Sequence, residues 1–408
     1  LISLGRIAYP ATSPFIIEAL DDGEESVRQA AYISLGLMST PETTAVLIDA
    51  FENSRDYNAR CFAAVGLGLS GRVDAAHSLN EFLGELKKLR SWRKVDDLVI
   101  STLIAVRVNS NADFSDNLMS VAQRMDKCKA SDELKVAAID ALAIAGGIQA
   151  IEVIIENVKS KSQLVAESCV VSLGRLGNRV AVNALTTAFE NSHDPRMKGM
   201  IQISLGQIAD NKAKKFLSDN QPRIADELYV HTSWLIACGL AKLDLAYTQV
   251  ANTALYGSDF NKHDDAVASR SDEYELRGAA ALSLGLYGAP AARVQLEKCL
   301  KETSVSDQLS SHIATALGML GTDEAAQVLL NNAEQFNYSA EARRGFATAL
   351  GMCSTEEANA QLANLLLNDT DPTVRWTSAH ALAGARDQYS LEQLVDAIRE
   401  DIHQAKPD

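Results

Sequence analysis

Four groups of residues in this chain have types and spacings from which chemistry can be argued. The run KKLRSWRK sets Lys87, Lys88, Arg90, Arg93 and Lys94 around Trp92. Cations with one aromatic ring suit a phosphate, an acidic peptide or a nucleic-acid backbone. The same residues also suit the last turn of a lengthened helix, where the macrodipole favours cations and Trp92 packs beneath them. Asp259, His263, Asp264 and Asp265 offer metal ligands, but their spacing fits neither an EF-hand loop nor a zinc motif, so a solvated loop is expected. Gly66-Leu67-Gly68-Leu69-Ser70-Gly71 has the spacing of a dinucleotide fingerprint, which requires a strand before it and a helix after it. Finally, Trp376 and His380 stand one helical turn apart, with Arg344 further back, and offer stacking, apolar area and hydrogen bonding.

The elements that must position these groups are read from an internal repeat. SLG recurs at Ser3-Leu4-Gly5, Ser34-Leu35-Gly36, Ser172-Leu173-Gly174, Ser204-Leu205-Gly206 and Ser283-Leu284-Gly285, and ALG at Ala316-Leu317-Gly318 and Ala349-Leu350-Gly351. With the glycine as anchor and alanine allowed, the remaining anchors are Gly68, Ala105, Ala143, Gly239 and Ala383, mostly 31 to 33 residues apart. The residue before the anchor is Leu in ten of the twelve, and the one before that is Gly, Ala or Ser in eleven, with Leu103 the exception. A small-large-small ridge on a helix lets a neighbouring backbone approach while the Leu fills the space between layers.

Other columns complete the unit. Eight residues before the anchor stand Arg28, Arg60, Lys135, Lys198, Arg277, Arg343 and Arg375, with Asp56/Arg60, Asp194/Lys198 and Asp371/Arg375 spaced i,i+4. Aspartate caps a helix N-terminus and can bridge the basic residue one turn on or in the next repeat, a structural ladder rather than an anion-binding row. Gly71, Gly146, Gly177, Gly288 and Gly321 follow three residues after the anchor, where a helix end needs the left-handed conformation. A further amphipathic helix follows, as in Glu42 to Phe51 or Asp323 to Asn331, so each unit is helix, turn, helix.

These columns resemble the short HEAT-like repeats of phycobilisome lyases. Their pattern of Asp, Val-Arg, Ala-Ala and Leu-Gly is matched by TDPTVRWTSAHALA at 370 to 383 and EESVRQAAYISLG at 24 to 36. SLGLYGA also resembles proteasome/cyclosome repeats. The resemblance implies an all-α, right-handed solenoid of about twelve repeats, the first incomplete, running as one array over residues 1 to 408. It is nearly silent on activity, because its members include scaffolds, adaptor arms and a few enzymes. The dinucleotide reading fails on the columns: Gly66 is the small ridge position, Gly68 the anchor and Gly71 the stop. A resemblance to deoxyhypusine hydroxylase would bring His-Glu pairs for a di-iron centre, and the sequence contains no His-Glu dipeptide.

Composition narrows the function. Lys plus Arg number 38 against 53 Asp plus Glu, a net charge of −15, which opposes a phosphate-coating role and the basic groove of a HEAT-like DNA glycosylase. Six scattered cysteines without CxxC read as buried hydrophobes of a reducing, cytoplasmic setting. No apolar run is long enough to span a bilayer. The opening LISLGRIAYP matches the second half of a repeat, as expected of a piece of a longer protein.

The array breaks period twice. The intervals Gly68 to Ala105 and Ala105 to Ala143 are 37 and 38 residues, an irregular region of about 72 to 143 that holds the basic run; Gly239 to Gly285 is 46, with an extended loop expected at about 258 to 272. The concave side of such an array is lined by the anchor helices. Three and seven residues before the anchor their surface is mixed: Gln29 and Ile33, Thr232 and Ile236, Arg344 and Thr348, Trp376 and His380. Such a surface suits an extended polypeptide more than a buried small molecule. The expectation is a non-catalytic scaffold or adaptor with a protein partner, able to serve as one subunit of a larger assembly, with neither cofactor nor metal and no nucleic acid. Its partner residues would be Arg344, Trp376 and His380, together with the run from Lys87 to Lys94 that includes Trp92. The alternative is a phycobilin-lyase-like subunit or cofactor-handling chaperone, cradling a tetrapyrrole.

Overall fold

The computed structural model describes the whole chain except residues 110–112, 148, 223–226, 258–269, 303–305, 386–387 and 405–408. The described residues are helical, with no strand among them. They form two compact units, Leu1–Glu190 and Asn191–Asp408.

In the first unit the anchor helices are Ile2–Ile7, Glu25–Met38, Tyr57–Ser70, Asp96–Val108, Asp132–Ala145 and Gln163–Leu176. They alternate with Ser13–Glu18, Pro41–Asn53, Val73–Glu85, Ser115–Arg124, Ala150–Asn157 and Val182–Asn191. In the second they are Pro195–Ile208, Leu228–Ala241, Arg270–Tyr287, Asp307–Leu320, Ala340–Cys353 and Pro372–Ala385. Each is followed by a covering helix, the last of them Gln388–Gln404. The all-helical repeat expected from the columns is the observed architecture.

The ridge explains the stacking. A Cβ added at Gly36 would lie against the carbonyl oxygen of Gly66 and 2.7 Å from its Cα, and one at Gly318 would lie 2.7 Å from the Cα of Ala349. The anchors Gly5, Gly206, Gly239, Gly285 and Gly351 meet Ser34, Ala237, Ser283, Ala316 and Ala381 at similarly short range. Each anchor thus faces the small residue two before the next anchor. Between them Leu35, Leu67, Leu205, Leu284, Leu317 and Leu350 are fully buried. Backbones this close leave no room for a side chain, so glycine is required by packing.

One anchor lies two residues beyond the position that the columns predict. Gly68 meets Ala105 itself, 2.5 Å from its Cα, so Ala105 is the small residue of that repeat and Arg107 holds the anchor position. The Leu103 exception thereby disappears. Because an arginine cannot enter a backbone contact, Arg107 turns to Asp140 of the next anchor helix, at 3.2 Å. Asp140 also accepts from the hydroxyls of Ser168 and Ser172.

The helix ends obey the expected geometry with one shift. Gly71, Gly177, Gly288 and Gly321 are left-handed, with φ from 60 to 64°. Gly146 is not; it stays right-handed and Gly147 turns instead, at φ 65°. In the same column Ala8, Ser39, Ala209, Lys242 and Ser354 adopt φ of 48 to 54° despite their side chains. The turn is imposed by the repeat and not by the residue.

The arginines of the basic column find partners beyond the acidic residue one turn back in their own helix. Asp56 and Asp194 cap their helices by accepting from the backbone N–H groups of Asn58 and Arg196. The arginines reach back to the preceding chain: Arg28 donates to the carbonyls of Asp22 and Gly23, Arg60 to Phe51, Arg277 to Ala254 and Arg375 to Asp369. Helix ends leave carbonyls unsatisfied, and a guanidinium there meets both the hydrogen-bond deficit and the dipole. Arg343 adds a bidentate pair with Asp369 of the next repeat, at 2.7 and 3.1 Å.

Candidate functional site

Trp376 and His380 lie on the anchor helix Pro372–Ala385, seven and three residues before Ala383. Trp376 is 63% exposed, and its ring stacks on that of His380 with centroids 4.5 Å apart and planes at 24°. It therefore does not cap the last hydrophobic layer. That layer is closed by Val374, Ser378 and Leu382, which face inward. Arg344 holds the equivalent position on Ala340–Cys353; its side chain is exposed and makes no ion pair among the described residues. Its carbonyl accepts from Thr348 one turn on.

A second exposed column lies outside the residues that the sequence singles out. One residue after the anchor stand Val108, Ile144, Met319 and Met352, with exposures of 53, 47, 36 and 45%. Ile104 and Val171, in the column three before the anchor, are each 39% exposed. The signal was present as apolar residues recurring at a position the stacking does not bury. In the second unit this column sets Met352 one turn beyond Thr348.

The basic run is built differently from expectation. The helix Val73–Glu85 stops before it, Leu86–Lys88 make one 3-10 turn, and the chain is then non-helical until Asp96. Trp92 is 0% exposed: its backbone N–H donates to the Cys128 carbonyl at 3.1 Å and its indole N–H to Leu86 at 3.4 Å. Trp92 is consequently no part of any surface. Lys87, Lys88, Arg90, Arg93 and Lys94 are all exposed, and Lys88 pairs with Glu85.

Neither cofactor reading gains from the geometry. The GLGLSG segment lies at the end of the helix Tyr57–Ser70, with no strand before it; packing accounts for Gly66 and Gly68 and the left-handed helix end for Gly71. Asp259, His263, Asp264 and Asp265 lie outside the described residues, as does most of the loop expected at 258 to 272; from Arg270 the chain is helical. Among the described residues no group of three His, Cys, Asp or Glu is placed to hold a metal, and no helix is long and apolar enough to cross a membrane. The thiols are free, and burial pushes that of Cys169 up to about 12 and that of Cys353 up to about 11. Such thiols are poor nucleophiles at neutral pH.

No curated protein matches the chain. Among solved structures, human deoxyhypusine hydroxylase in complex with glycerol is similar at 18% identity and TM-score 0.30, covering 66% of this chain and 96% of that one. The complex of CpcE and CpcF of phycocyanin lyase from a Nostoc species is similar at 17% identity and TM-score 0.37, covering 57% and 94%. Kap121p bound to Nup53p is similar at 14% identity and TM-score 0.37, where the match covers 97% of this chain but 43% of the other. A family model for HEAT repeats matches residues 1–68 and 336–405. The matched segments are the two ends of the chain, and the helix pairs between them repeat the same ridge.

Proposed function

We propose that the chain is a non-catalytic scaffold or adaptor that holds another protein along the exposed face of its anchor helices. The main contact is the patch of Arg344, Trp376 and His380, extended by Thr348 and Met352. The observation that carries the reading is the 63% exposure of Trp376 while it stacks on His380. A tryptophan left in water with a ring already holding its rotamer loses little freedom on binding, and Trp and Arg are the residues that most often anchor interfaces. Met352 adds an adaptable apolar contact.

The test is the triple variant Arg344→Ala, Trp376→Ala, His380→Ala of the full chain, compared with the wild type in a pull-down from the native source. The expected result is an unchanged melting temperature and the loss of at least one protein that the wild type retains. Retention of every partner, or early melting of the variant, overturns the proposal.

A further inference from the structure

The basic run has neighbours that the sequence did not assemble. Residues 86 to 95 connect a covering helix to an anchor helix, and the equivalent connections of the next two repeats are 125 to 131 and 158 to 162. The first two are joined directly. Trp92 donates to the Cys128 carbonyl, and Arg124 donates to the carbonyls of Leu86 and Leu89 at 3.0 and 2.9 Å. The second connection carries Lys127 and Lys129, and the third carries Lys159 and Lys161, all four exposed. Stacked repeats set equivalent turns side by side about one helix diameter apart, roughly 10 Å.

Few counter-charges lie within these turns. Residues 86 to 95 and 158 to 162 contain no acidic side chain, and the lone one in 125 to 131, Asp126, is held by Lys135 at 2.7 Å. Lys87, Arg90, Arg93 and Lys94 in the first turn, like the four lysines of the other two, form no ion pair among the described residues. Asp96, Asp97, Asp132 and Glu133 open the anchor helices that follow, where the macrodipole accounts for them. The same edge at the first repeat is acidic, with Asp21, Asp22, Glu24 and Glu25. A basic edge three repeats long stands against the net charge of −15 of the chain.

We propose that this edge is a second docking surface, for an extended acidic polypeptide segment that crosses the three turns. It rests on the reading of the chain as a protein-binding scaffold but uses a surface separate from Trp376. Nucleic acid is the poorer fit. Single strands need exposed rings to stack on, and the one aromatic of the run, Trp92, is buried. The −15 charge also repels a polyanion that is longer and denser in charge than a peptide.

The test uses a fluorescent glutamate-rich peptide and an oligothymidine of equal charge, titrated with the full chain and read by anisotropy. The peptide should bind, weakening about tenfold between about 0.05 and 0.2 M salt because exposed charges are screened. The variant Lys127→Glu, Lys129→Glu, Lys159→Glu, Lys161→Glu lies wholly outside the 87–94 run. It should lose at least about tenfold in affinity, since like charges across an interface repel. The control Lys212→Glu, Lys215→Glu in the second unit should bind as the wild type does, and circular dichroism checks that both variants fold. Absence of peptide binding, indifference to the four reversals, or tighter binding of the oligothymidine each overturns the proposal. The patch at Trp376 is untouched by this experiment, so the two readings fail separately.

Discussion

Substituting alanine for glycine should have opposite consequences at two positions of the same unit. At Gly206 a Cβ would stand 2.7 Å from both the Cα and the carbonyl oxygen of Ala237. Ordinary carbon contacts lie at about 3.5 to 4.0 Å, so two helix backbones must separate by roughly 1 Å, and no rotamer change can relieve it. Overpacking of this kind costs about 1 to 3 kcal/mol. Alanine recovers about 0.8 to 1.0 kcal/mol of helix propensity, which leaves Gly206→Ala destabilising by about 1 kcal/mol. At Gly384, on Pro372–Ala385, nothing lies within 4 Å of the added Cβ. Gly384→Ala keeps the propensity gain without the clash and should stabilise, by less than about 1 kcal/mol so near a helix end. The assay is urea unfolding followed by circular dichroism, with midpoints compared at equal slope, because a repeat chain need not unfold in two states. If both substitutions raise the midpoint, the close approach of the anchor helices is wrong.

Other positions give sharper single outcomes. Ala209 is held at φ 53°, where a Cβ is strained by about 1 to 2 kcal/mol. Ala209→Gly should raise the urea midpoint once the greater freedom of unfolded glycine, about 0.4 to 1 kcal/mol, is subtracted; a lowered midpoint refutes the strain. Arg343→Met leaves Asp369, 5% exposed, without its guanidinium and should cost about 3 kcal/mol. Arg343→Met with Asp369→Leu should recover most of that loss, whereas equal losses in single and double variants would show that the pair is not the cause. His312 has its pKa lowered by burial, against Glu341 and Glu275, which pull it up. The unfolded imidazole protonates first as pH falls through about 6.5, so stability present above that pH is lost on acidification towards the folded value. His312→Gln should lose less stability than the wild type between about pH 7.5 and 5.5, and identical losses would contradict the assignment.

The fold was legible because its rule is a repeated packing constraint. A glycine that meets a backbone can be only glycine or nearly so, and a constraint that gives glycine at nine anchors and alanine at two, Ala143 and Ala383, shows as a column. Where the constraint relaxed, legibility failed. Arg107 took an anchor position by trading backbone contact for the Asp140 pair, and the nearest small residue, Ala105, was read in its place. Gly146 and Gly147 are adjacent, and composition alone does not say which one turns. The charges of the basic run suit a helix C-terminus, and so predict a longer helix than the chain forms. What ends that helix is Trp92 turning inward towards Cys128, a contact made 36 residues away in sequence. The partner residues were legible in type but not in exposure. A tryptophan at the end of an array serves equally well as a cap or as an anchor, and only the inward set of Val374, Ser378 and Leu382 decides between them.

Tryptophan quenching tests the central claim most directly, because the chain has 3 tryptophans and two of them, Trp92 at 0% and Trp234 at 2% exposure, are buried. Acrylamide should quench a red-shifted component that disappears in Trp376→Phe. When a protein retained by the wild type and lost by the triple variant is added, that component should become protected and shift to the blue. An exposed Trp376 that stays as quenchable in the complex as it is in the free chain would contradict the account.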